Sequence, residues 1–173
     1  MAHSHVFLNS LMKTFAPLTN IESVLSILSQ ISFFGGISDA EREEVFRLLE
    51  SGCFKKGEHI IKLGEEPTHL YIIKSGRVDL FLTDDGGTIK ERQFQAGDCF
   101  GEVLMLSMAD KFASYVAAED CELIVLSRRA LNQLRHEDLH LFCLLIMNLA
   151  REIARKLQFT DAMLLKDEHA LGR

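Results

Sequence analysis

The chain has 173 residues, 47% apolar and 25% charged, with a formal charge of −6. That suits one domain with helical extensions and a buried core, and the acidic balance excludes a generic phosphate-backbone binder, which needs a cationic face. Four dispersed cysteines (Cys53, Cys99, Cys121, Cys143) without a C-x-x-C pair fit neither a zinc knuckle nor a disulfide framework, so packed, reduced thiols in a cytoplasmic protein are expected.

Residues 1 to about 50 read as helical. Val6, Phe7, Leu11 and Phe15 recur at helical spacing, Pro17 interrupts, and Ile21, Val24, Leu25, Leu28 and Ile31 resume the stripe. Ser38 with Glu41 predicts a capping box at the start of a helix carrying Val45, Phe46, Leu48 and Leu49 inward.

From Gly52 to Ser127 short apolar runs alternate with turn residues. The predicted strands are His59–Leu63, Leu70–Lys74, Arg77–Thr83, Thr88–Phe94, Lys111–Ala117 and Glu122–Leu126. Val78, Leu80 and Leu82 alternate with Arg77, Asp79 and Phe81, the period of a half-buried strand. Such a density of strands with glycine turns predicts an antiparallel roll. The fold class expected is α+β: a jelly-roll-like β-roll of about eight strands with N-terminal helices and a long C-terminal helix. Its divisions are 1–32, 33–127 and 128–173.

After Ser127 the chain turns helical to near Leu165. Leu139, Phe142, Ile146, Leu149 and Ile153 form a short heptad seam, which predicts a homodimer through the C-terminal helix. No basic segment followed by a long apolar stretch opens the chain. The longest apolar run, Leu141–Met147, is far below the roughly 20 residues that span a bilayer, so no membrane contact is expected.

The most informative stretch is Gly97 to Ala117. Phe100-Gly101-Glu102 ends a strand, and Val103 to Met108 allows a short helical turn. Glycine at such a junction can turn backbone N–H groups toward an anion, and a neighbouring carboxylate can accept from sugar hydroxyls. Glu102 could equally cap the turn's own N–H groups. His136-Glu137-Asp138-Leu139-His140 spells the H-E-x-x-H pattern of zinc proteases, but no downstream third-ligand motif accompanies it, and no metal site is expected. No nucleophile elbow or phosphate loop occurs, so the chain reads as a binding module rather than an enzyme.

Gly57-Glu58-His59-Ile60-Ile61, Gly64-Glu65-Glu66-Pro67, the run Leu70 to Val78 ending Ser75-Gly76-Arg77-Val78, and Ala96 to Glu102 together resemble the cyclic-nucleotide-binding domains of catabolite activator proteins and kinase regulatory subunits. The resemblance covers roughly 33–156. It implies a regulatory sensor for cAMP, cGMP or another small phosphorylated ligand, acting on an effector protein. It also implies a site at Phe100, Gly101, Glu102, Val103, Lys111, Phe112 and Ala113. Backbone donors of Gly101 to Val103 would hold the phosphate and Glu102 the ribose 2′-hydroxyl. The family's phosphate arginine and the small residue after it are here Lys111 and Phe112. Lysine lacks the arginine fork, and an inward phenyl ring would fill the pocket. The alternative is therefore a ligand-free interaction scaffold with a degenerate pocket. The chain stops soon after the long helix should end, so no helix-turn-helix and no direct DNA binding are expected.

Overall fold

The computed structural model describes residues 15–170 except 21, 30, 66–67 and 107–112. The helices that precede the roll are α1 (Glu22–Leu28), a 3-10 turn (Ser32–Phe34) and α2 (Asp39–Arg47). The strands are β1 (Ala16–Pro17), β2 (Leu49–Phe54), β3 (His59–Ile61), β4 (His69–Ser75), β5 (Val78–Asp84), β6 (Gly87–Phe94), β7 (Cys99–Phe100), β8 (Ala113–Ala117) and β9 (Cys121–Ser127). A short α3 (Glu102–Leu106) follows β7, and α4 (Arg128–Glu137) and α5 (Leu139–Ala170) close the chain.

All strand pairs are antiparallel, in two sheets ordered β1-β2-β9-β4-β7 and β3-β8-β5-β6. The α+β roll is thus observed, with nine strands among the described residues, two of them two-residue pieces. The helical reading of the N-terminal zone needs correction. Residues 1–14 lie outside the described part, Ala16–Pro17 pairs with β2, and Leu49 opens β2 instead of ending α2. Leu49 remains buried, so the apolar pattern was right about its burial and wrong about its element.

Strand β4 explains the architecture. Leu70 and Ile72 face the helices, whereas Tyr71 and Ile73 face the inside of the roll, and all four are buried. A strand covered on both faces reads as a continuous apolar run without alternation. Strand β6, at a sheet edge, carries Lys90, Glu91, Arg92 and Gln93, charges and an amide that discourage edge pairing.

The helical layer is fixed by caps and one buried amide. Ser38 and Glu41 form the expected capping box on α2. Asn148, buried in α5, donates to Phe33 O at 3.0 Å and Gly35 O at 2.7 Å, tying the 3-10 turn to the long helix.

The predicted heptad seam on α5 faces largely inward. Leu149 is buried in the helical core, and Phe142 and Ile153 pack against it. The exposed stripe is instead Cys143, Met147, Ala150, Ala154 and Leu157. Cys99 and Cys121 are buried, as packed thiols should be, but Cys53 and Cys143 are exposed.

The H-E-x-x-H segment is not one helix. His136 lies in the last turn of α4 and His140 in α5, while Asp138 between them caps α5 by accepting from the Leu141 N–H at 2.9 Å. The single helical face that the zinc pattern requires is absent. Among the described residues no cluster of His, Cys, Asp or Glu side chains could hold a metal, and no helix is long and apolar enough to cross a membrane.

Candidate functional site: a buried carboxylate at a glycine corner

Strand β7 delivers the chain to Gly101, whose φ of +88° is the left-handed region open to glycine. A Cβ there would stand 2.8 Å from His69 O and 3.1 Å from a Tyr71 ring carbon, so glycine is required on two counts. The sharp corner starts α3 with Glu102 pointing inward, 3% exposed.

Glu102 is held asymmetrically. Lys156, from α5, donates to its Oε1 at 2.6 Å and to Cys99 O at 2.7 Å. Oε2 is buried and has no hydrogen-bond partner among the described residues. A carboxylate oxygen out of water without a donor is costly, and a sugar hydroxyl is a group that would satisfy it. The residues present therefore fit a ribose-bearing ligand.

An aromatic floor supports the corner. Phe100 stacks on Tyr71 (centroids 5.1 Å apart, planes at 10°) and on Tyr115 (4.8 Å, 16°), with Phe94 tilted beside it at 5.8 Å. Burial raises both tyrosine phenols well above their ordinary range, keeping them neutral. Burial likewise pushes the Cys99 thiol up to about 12, outweighing the nearby Lys156 charge.

Beside this corner lies a cavity of about 300 Å³ lined by Arg92, Phe94, Asp98, Lys156 and Phe159, among others. The Arg92 guanidinium sits 5.2 Å from the Phe94 ring centre and 5.5 Å from that of Phe159, and the Lys156 ammonium 5.7 Å from Phe94. Aromatic faces and cations together suit a flat, electron-rich base. A larger open groove of about 1010 Å³ runs between β2 and α4, lined by Arg47, Arg128 and Arg129, and has no lining residue in common with this cavity. Volume does not decide between the two; the buried Glu102 oxygen, without a partner among the described residues, makes the corner the candidate site.

Of the residues singled out in the sequence, Phe100, Gly101, Glu102 and Ala113 are buried around this corner or at the start of β8, and the Val103 side chain is 48% exposed. Lys111 and Phe112 lie outside the described residues. Sequence reasoning missed Lys156, Arg92, Phe94 and Phe159. One signal existed: the inward seam Leu149-Ile153 continues three residues on to Lys156, a cation where an apolar residue was due.

The family description "Cyclic nucleotide-binding domain" matches residues 52–138, and the chain belongs to that family. The cAMP-dependent protein kinase regulatory subunit of Eremothecium gossypii is 32% identical over 116 residues, covering 67% of this chain and 24% of that protein. The chain thus spans about a quarter of that regulatory subunit. The structure of the Thermus thermophilus catabolite activator protein is 30% identical, with a TM-score of 0.66 over 77% of this chain and 61% of that one. A cyclic nucleotide-binding domain from Methylobacillus flagellatus shares the fold at a TM-score of 0.74 and 23% identity, covering 84% of this chain and 83% of that one.

Proposed function

We propose that this chain is a regulatory sensor that binds a purine 3′,5′-cyclic nucleotide at the Gly101–Glu102 corner and transmits occupancy through α5. The observation that carries the reading is the buried Glu102 Oε2, with no partner among the described residues, beside an Oε1 already engaged by Lys156. The ribose 2′-hydroxyl donates to Oε2. The cyclic phosphate lies on the backbone N–H groups of Gly101 to Val103 and meets Lys111. Ala113, at the start of β8, bounds the pocket.

Arg92 selects the base. An arginine fork fits the O6 and N7 acceptors of guanine, whereas adenine places an amino donor on that edge. cGMP is therefore the preferred ligand over cAMP. Because Lys156 bonds both Glu102 and Cys99 O, a ligand that alters Glu102 bears directly on α5. It shifts α5 only by as much as it prefers one arrangement over the other. The long helix also joins two copies and presents the bound state to an effector protein.

Titration calorimetry of the full chain with cGMP and cAMP tests the reading. One-site binding, weakened tenfold or more by Glu102→Gln and by Lys111→Ala, is expected. No heat with either nucleotide at millimolar concentration would overturn it.

A further inference from the structure

A positive groove interrupts the surface of a chain whose formal charge is −6. It runs between β2 and α4 and measures about 1010 Å³, with Arg47, Arg128 and Arg129 on its walls and Glu50 against them. Arg47 ends α2 and the other two arginines start α4, so elements far apart in the chain bring their cations to one cleft. Such a cleft focuses the field of its charges and concentrates anionic partners there.

Local structure does not account for the two arginines on α4. They occupy its first two positions, its first turn holds no acidic residue, and cations are favoured at the opposite end of a helix. Arg42, Arg77 and Arg155, on other surfaces, each pair with a carboxylate. Arg47 and Arg129 are exposed, and neither has an ion-pair partner among the described residues. Beside them, exposed Pro17 and half-buried Leu48 give the groove an apolar wall.

We infer that this groove docks an acidic peptide segment of a partner protein, its carboxylates on the arginines and an apolar side chain on Pro17 and Leu48. An arginine fork donates to both oxygens of a carboxylate. A nucleic-acid backbone would bring evenly spaced charge toward a protein that is acidic overall, and would make no use of the apolar wall. A peptide uses both. Helix α4 passes into α5 with only Asp138 between them, so a partner held on α4 sits beside the helix that reaches Glu102. The inference gives the effector of the reading above a surface and a chemistry, and rests on that part of it. The groove shares no lining residue with the nucleotide cavity.

Fluorescence anisotropy of the full chain with a labelled octapeptide of six glutamates around two leucines tests this, at low and at physiological ionic strength. Saturable binding that weakens as salt rises is expected. Arg47→Ala and Arg129→Ala should each weaken it at least about threefold, and together about tenfold, with unchanged circular dichroism. Arg135→Ala, on α4 but outside the groove, should change it by less than about twofold. Glu50→Gln should tighten it, because a like charge leaves the groove. No saturable binding, or binding that Arg135→Ala weakens as much as Arg129→Ala does, overturns the proposal. So does displacement of the peptide by a single-stranded oligonucleotide or by phosphatidylserine vesicles at a lower concentration of charge, which would make the groove a site for phosphates. Calorimetry of the double arginine variant with cGMP separates the two readings. Nucleotide binding at wild-type affinity beside a failed peptide titration leaves the sensor standing and removes only the docking surface.

Discussion

Lys156 and Glu102, 54 positions apart in the chain, meet in a buried ion pair that is the direct link between the long helix and the glycine corner. Removing one partner of such a pair leaves an unpaired charge out of water, which costs about 3–5 kcal/mol. Lys156→Met should therefore lower stability by about 3 kcal/mol, and Glu102→Gln combined with Lys156→Met should recover most of the loss. Chemical denaturation of the four proteins of this cycle measures the coupling. Strict additivity would mean that the pair contributes nothing.

Gly101→Ala is expected to be the most damaging single-methyl change at the site. The left-handed backbone costs a residue with a Cβ about 1–2 kcal/mol, and the added carbon meets His69 O at 2.8 Å. A total loss of about 3 kcal/mol and a fall in nucleotide affinity of at least tenfold should appear together. A variant with wild-type stability would show that the corner relaxes without cost.

Much of the fold was legible because its signals are local. The Ser38–Glu41 box and the alternation of Val78 and Leu80 each need only a few neighbouring residues, and both appear as expected. The Gly101–Glu102 corner was legible for the same reason. Lys156 was not, because its meaning depends on Glu102, brought near only by the packing of α5 on the roll. The two-sided burial of β4 hid strand alternation there, and the inward turn of Leu149 and Ile153 shows why a heptad alone does not say which side a partner occupies. Leu49 shows the remaining weakness: an apolar residue beside a helix end fits the helix or the next strand equally well until pairing with Leu126 decides.

Arg92 on β6 offers a test of base selection separate from ribose binding. A bidentate arginine contact to guanine discriminates by about 1–3 kcal/mol, roughly tenfold to more than a hundredfold in affinity. Wild type should bind cGMP at least tenfold more tightly than cAMP, and Arg92→Ala should bring the two within about threefold. Competition between labelled cGMP and unlabelled cAMP reads the ratio directly. A ratio that Arg92→Ala does not change would remove Arg92 from base recognition.

Asp79 on β5 accepts hydrogen bonds from Lys90 and Gln93 on the neighbouring β6, each at 2.7 Å. Burial alone would raise its pKa, but those two bonds, with the charges of Lys90 and Arg77, hold it below the ordinary carboxylate range. A carboxylate depressed in the folded state stabilises fully above its unfolded value of about 3.9, and that contribution fades as pH falls through the folded value. Lys90 is half exposed, so solvent screening limits the pair to about 1 kcal/mol. Asp79→Asn should thus be about 1 kcal/mol less stable than wild type at pH 7, with the gap closing as both are titrated toward pH 3. Urea denaturation across that range decides it. A gap that stays constant would assign the effect to the shape of the side chain and not to its charge, because protonation would then have removed nothing that the asparagine lacked.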